Sequence, residues 1–110
     1  MTLLAFPTEM TQRLTTQERF QKLASEWRSQ ARYMSNVRQM VIMKPYQAII
    51  GMGLAAVPMM LEDLQREPDH WFWALEAITD ENPVPEEARG NVKQMAAAWI
   101  EWGKRMGVIA

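Results

Sequence analysis

Residues 45–78, PYQAIIGMGLAAVPMMLEDLQREPDHWFWALEAI, decide the fold. They open with an uncharged run from Pro45 to Leu61, turn acidic from Glu62, and end in the aromatic cluster Trp71-Phe72-Trp73. Pro45 biases Lys44 away from helical angles and is itself welcome in the first turn of a new helix, so a short helix is predicted from Pro45 to about Ile50. Gly51 or Gly53 suits a left-handed stop, and Pro58 falls where the first turn of the next helix tolerates a missing amide. On that helix Val57, Leu61 and Leu64 are expected to face inward, with Glu62, Asp63, Arg66 and Glu67 mostly facing water. The pair is a helical hairpin.

Glu67-Pro68-Asp69 then closes one helix and opens another, with Asp69 expected as the N-cap because a carboxylate is favourable at the positive helix end. Trp71, Ala74, Leu75 and Ile78 fall on one face of the new helix, Phe72 lies at its margin, and Trp73 points almost the other way. Before the hairpin, Thr15-Thr16-Gln17-Glu18 reads as a capping box in which Thr15 and Glu18 satisfy each other's amides. Phe20, Trp27, Met34 and Val41 follow at heptad spacing, with Leu23, Ala24, Ala31 and Val37 between them, as an apolar helical stripe. Ser35-Asn36 compete for backbone hydrogen bonds and are placed to divide that helix in two. After the hairpin, TDENPVPEE (79–87) is turn chemistry with two prolines and four acids. A final amphipathic helix, 89–106, carries Val92, Met95, Ala96, Trp99, Trp102 and Met106 toward the hairpin and stops at Gly107.

No segment alternates strictly, so strands are not expected, and the fold class is an all-α bundle of about five helices. With 110 residues the chain has the length of one domain, able to bury roughly 65% of its unfolded surface without staples. Residues 15–110 are assigned to a single helical domain and 1–14, interrupted by Pro7, to a loosely packed lead-in. There is no cysteine, which removes thiolate catalysis, Cys-ligated zinc and iron–sulfur clusters, and fits a reducing, cytoplasmic setting. The start MTLLAFPTEM has no basic n-region and is not expected to be a signal peptide. The uncharged run contains Pro58, two glycines, Tyr46 and Gln47 without flanking aromatic belts, so no membrane span is expected.

The net charge of −1 conceals an asymmetry. Residues 1–45 carry seven Lys/Arg against three acids, 46–88 one against nine, and 89–110 four against one. The favoured reading is that oppositely charged helices pack together and neutralise; the alternative is a basic face for an acidic partner. The arginines of the first helix do not form one row, although Arg28 and Arg32 are neighbours.

Candidate chemistry is sparse. Gly51-Met52-Gly53-Leu54-Ala55-Ala56 satisfies the dinucleotide-binding pattern, but no second strand follows and Pro58 intrudes, so a helical turn is expected and no cofactor. His70 is the only histidine. It is read as ordering the preceding loop, with acid–base catalysis beside a neighbouring carboxylate as the minor alternative, and no ligand spacing points to a metal. The ten methionines are read mostly as adaptable core filler. Trp73 is the better interface candidate, since tryptophan is enriched in binding hot spots.

The segment Ile49 to Leu64, with Gly51-Met52-Gly53 before Ala56-Val57-Pro58, resembles a HEAT-like repeat, and Trp73-Ala74-Leu75-Glu76-Ala77-Ile78 is similar to the first helix of a following repeat. The resemblance implies paired helices and binding of other macromolecules along a helical surface. The wider pattern, with Pro45-Tyr46-Gln47, Asp69 to Leu75 and Asn82-Pro83-Val84, looks like a type of small prokaryotic protein, which by analogy suggests an accessory binder of antitoxin or immunity type. The expected function is non-catalytic binding to another protein through Trp73, His70, Arg28 and Arg32. A nucleic-acid-associated protein using the basic first helix is the alternative, and self-association is left open.

Overall fold

A computed structural model of the chain describes residues 14–110. The lead-in expected over 1–14 falls outside the described residues apart from Leu14. Six α-helices are present in them: α1 (Thr16–Ala31), α2 (Val37–Val41), α3 (Lys44–Gly51), α4 (Val57–Arg66), α5 (Phe72–Thr79) and α6 (Val92–Arg105). Two 3₁₀ turns, Gly53–Ala56 and Glu86–Ala88, complete the set, and no strand occurs among the described residues.

The local signals explain most of the boundaries. Thr15 and Glu18 form the complete capping box that starts α1. The backbone amide of Thr15, donating to Glu18, holds that carboxyl below its ordinary range, with the Thr15 side chain adding to the effect. Helix α1 ends at Ala31, and Asn36 caps α2 by accepting from the Arg38 amide. The division expected at Ser35-Asn36 is therefore real, and it places Met34 outside the helix, 36% exposed, where the heptad stripe had put it inside. Phe20, Trp27 and Val41 of the same stripe are buried.

Helix α3 begins with a proline in its first turn, as does α4. Between them Gly53, at φ +70°, supplies the left-handed turn. The uncharged run thus becomes two helices bent by 111°, and no single helix among the described residues is long and apolar enough to cross a membrane. Helix α6 closes in a Schellman motif. Gly107, at φ +75°, donates to Lys104 O, and Val108 donates to Gly103 O at 2.8 Å.

Packing joins α1 to α3, α3 to α5 and α4 to α6. Phe20, Ala24 and Trp27 of α1, Tyr46 and Ile49 of α3, Val57, Met60, Leu61 and Leu64 of α4, and Ala74 and Leu75 of α5 share one core with Ala96, Trp99 and Trp102 of α6. Met60 is fully buried, while Met40, Met43, Met52, Met59 and Met95 are partly buried against that core, which matches the use of methionine as filler.

Gly103 is a close approach of α6 to α4. A Cβ there would lie 2.6 Å from Leu61 Cδ1 and 3.1 Å from Ile109 Cγ1. Leu61 is fully buried, so its side chain must shift within a close-packed core to make room. Gly103→Ala is expected to lower unfolding stability by about 1–3 kcal/mol in urea titration; an unchanged or raised midpoint would show that the α4–α6 contact is loose.

Candidate functional site

The most distinctive side-chain arrangement centres on Trp71. Its ring lies 4.7 Å from that of Trp27, 5.6 Å from Phe20 and 5.7 Å from Tyr46, the last pair nearly parallel at 15°. Residues from α1, α3 and the turn before α5 thus form one aromatic core. Each polar tip within it has a partner. Trp27 Nε1 donates to Met40 O at 2.8 Å, tying α2 to the core. Tyr46 Oη donates to His70 O and accepts from the Ala74 amide, both at 2.9 Å. Burial pushes the Tyr46 phenol well above its ordinary range, against the opposing pull of the Ala74 amide.

Trp71 Nε1 donates at 2.8 Å to Asp63 Oδ2. Asp63 was expected to face water, yet it is 4% exposed, the one buried charged residue among the described residues. The reason is chemical rather than periodic. An indole N–H carried into the core needs an acceptor, and the carboxylate that provides it needs cations. Arg28 donates through Nη2 to the same Asp63 oxygen, while Arg66 Nη2 reaches Asp63 Oδ1 at 2.9 Å. Arg28 Nε also donates to Asp69 Oδ2 at 3.1 Å, and its guanidinium lies 5.7 Å from the Trp71 ring centroid.

This cluster corrects a second expectation. Asp69 does not cap α5; the position before the helix is Trp71, without a side-chain cap. The Asp69 carboxylate instead takes Arg28 on one oxygen and the His70 amide, at 2.8 Å, on the other. Burial works against the Arg28 charge, but the hydrogen bond to Asp69 and the charges of Asp63 and Asp69 outweigh it and hold its pKa above the ordinary value. Arg28 therefore neutralises the acidic middle from the basic first helix, in line with the packing reading of the charge asymmetry.

The four residues singled out from sequence fall into two places. Arg28, Arg32 and His70 line one open groove of about 620 Å³ between α1 and the turn before α5. Trp27, Ala31, Met34 and Met40 supply its apolar lining, and Gln21, Ser25 and Ser29 add polar groups. The His70 ring is half-buried and lies edge-on to Phe72, with centroids 6.4 Å apart. Its backbone carbonyl, rather than its imidazole, is what the core uses. Trp73 does not line this groove. It stands 59% exposed on α5, opposite the fully buried Ala74, Leu75 and Trp71. Sequence reasoning missed Asp63 and Tyr46 as organising residues, although a tyrosine and two tryptophans bound for one core were a signal that acceptors had to be buried with them.

The Gly51-to-Ala56 pattern forms the end of α3 and a 3₁₀ turn, with no strand beside it. Among the described residues no group of three or more His, Cys, Asp or Glu side chains is placed to hold a metal ion.

Asp63→Ala is expected to cost roughly 3 kcal/mol of stability, because it strands the Trp71 N–H and removes the shared anion from two arginines. Asp63→Asn keeps an acceptor and should cost less. Urea unfolding followed by tryptophan fluorescence measures both, and equal losses would show that the charge, not the indole acceptor, dominates. For Tyr46 the direction with pH follows from its raised pKa. The contribution is complete below the unfolded phenol value of about 10 and is lost as pH rises from there through the folded value. Above about pH 10 stability should therefore fall less steeply with pH in Tyr46→Phe than in the wild type, even though that variant is less stable at neutral pH.

Comparison of the chain with protein families, with curated proteins and with solved structures finds no match.

Proposed function

We propose that this protein is a non-catalytic binding module that recognises another protein through its helical surface. The observation that carries this reading is Trp73. An indole 59% exposed on a helix whose opposite side is fully buried costs the free protein hydration of a large apolar ring. Tryptophan in such a position is the side chain most enriched in binding hot spots. Further support comes from how the remaining polar chemistry is used. Asp63, Asp69, Arg28 and the Tyr46 hydroxyl are occupied with one another, with Arg66 and with Trp71 and the backbone of residues 70–74, as in a cluster that holds elements together. The HEAT-like resemblance of residues 45–78 fits recognition by paired helices, and the lack of cysteine fits a cytoplasmic accessory binder.

One observation favours the second reading, association with nucleic acid: Arg32, Arg38 and Lys44 are exposed in a segment that also presents Tyr33 at 83% exposure. Affinity capture of the tagged protein from native lysate, with and without nuclease, separates the two. A stoichiometric protein retained after nuclease is expected, and nuclease-sensitive recovery would move the assignment to nucleic acid. With the captured protein in hand, Trp73→Asp is expected to weaken binding by about 2 kcal/mol or more, about thirtyfold in Kd, with helical circular dichroism and melting unchanged. Loss of folding in that variant would return Trp73 to a structural role.

A further inference from the structure

The groove beside α1 differs from the Trp73 face in its charge. Its one carboxylate, Asp69, is already engaged by Arg28 and by the His70 amide. Arg28 is in turn spent on Asp69 and Asp63. Arg32, one helical turn further along, has no carboxylate within ion-pair distance among the described residues; its guanidinium lies 5.4 Å from the ring centroid of exposed Tyr33. The charge left over in the groove is therefore positive.

The segment that leaves α1 at the groove, and that lines it through Arg32, Met34 and Met40, extends that character. Residues 32–44, RYMSNVRQMVIMK, contain three cations and no acid. Within them Tyr33 is 83% exposed, Ile42 70%, Val37 40% and Met34 36%. Met34 and Met40, which also line the groove, are unbranched thioethers that can reshape themselves around an incoming side chain. Ser25 and Gln21 on the adjoining turns of α1 offer hydroxyl and amide groups to a peptide backbone. A concave lining of mixed polar and apolar groups, with a guanidinium that has no carboxylate partner among the described residues, fits an extended or helical chain better than the flat surface of a bilayer.

We propose that this groove docks an acidic segment of a partner protein, an apolar side chain entering between Met34 and Met40 while a flanking Asp or Glu pairs with Arg32. The proposal rests on the protein-binding reading for its class of partner, but on a surface separate from Trp73, so the two fail separately. The Trp27 indole, bonded to Met40 O at 2.8 Å, ties the backbone at one wall of the groove to the core.

The probe is a random-peptide display library selected on the immobilised full-length protein, followed by fluorescence anisotropy with the enriched peptides. Enrichment of peptides with Asp or Glu flanking a large apolar residue is expected. Arg32→Glu should weaken such a peptide at least tenfold, and changing the peptide's acid to lysine should restore binding to Arg32→Glu, a charge-swap recovery that a structural role for Arg32 cannot produce. Trp73→Asp should leave peptide affinity unchanged. Arg32 is exposed, so its variant is expected to keep wild-type melting; if it does not, the charge swap read with Arg32→Gln still decides. Failure to enrich acidic peptides, retention of affinity in Arg32→Glu, or binding seen only to phosphatidylserine vesicles or to single-stranded oligonucleotide would overturn the proposal. Peptide binding that is lost in Trp73→Asp and kept in Arg32→Glu would place the partner on α5 and leave only the protein-binding reading standing.

Discussion

The structure depends on a single buried carboxylate. Trp71 brings its N–H into a core of aromatic rings, where an unpaired donor would be costly, and Asp63 accepts it at 2.8 Å. That solution creates its own requirement, since an anion 4% exposed must be met by cations. Arg28 reaches it from α1 and Arg66 from within α4. Because Arg28 also holds Asp69, the turn leading into α5 is set by the same group. The turn then presents the His70 carbonyl to Tyr46 on α3. Three helices and a turn are positioned by consequences of one indole.

Such a network has the character of a specifying rather than a merely stabilising feature. Its members come from residues 28, 46, 63, 66 and 69–74, so no local segment can satisfy it alone. A packing that displaced α1 would leave Asp63 buried with only part of its cation complement, and one that displaced α3 would strip the Ala74 amide and the His70 carbonyl of Tyr46. The charge asymmetry along the chain finds its purpose here: the basic first segment and the acidic middle meet at Arg28, Asp63 and Asp69. This pairing leaves Arg32 without a carboxylate partner among the described residues.

The two candidate surfaces differ in kind. Trp73 is a convex aromatic anchor on a rigid helix backed by buried residues, whereas the groove beside α1 is concave, lined by methionine and edged by a cation. His70 is joined to the core through its backbone and lines the groove. The groove shares Arg28 and Asp69 with the cluster that fixes the fold, whereas Trp73 takes no part in that cluster.

Much of this was legible in the residues alone because it depends on nearest neighbours along the chain. The capping box at Thr15, the break before Asn36, the prolines that open α3 and α4, the glycine turn at Gly53, the outward Trp73 and the stop at Gly107 are all decided within one or two helical turns, where backbone geometry and periodicity act. The all-α class follows from them. Asp63 and Asp69 were misplaced because each was read against its own helix: one as a water-facing acid, the other as a cap. Met34 was misplaced because a heptad was continued past the end of its helix. Which carboxylate is buried and which arginines it takes are settled only when segments distant in sequence meet around the Trp71 indole, since hydrogen-bond satisfaction in a core is a property of the assembled neighbourhood and leaves no trace in local spacing.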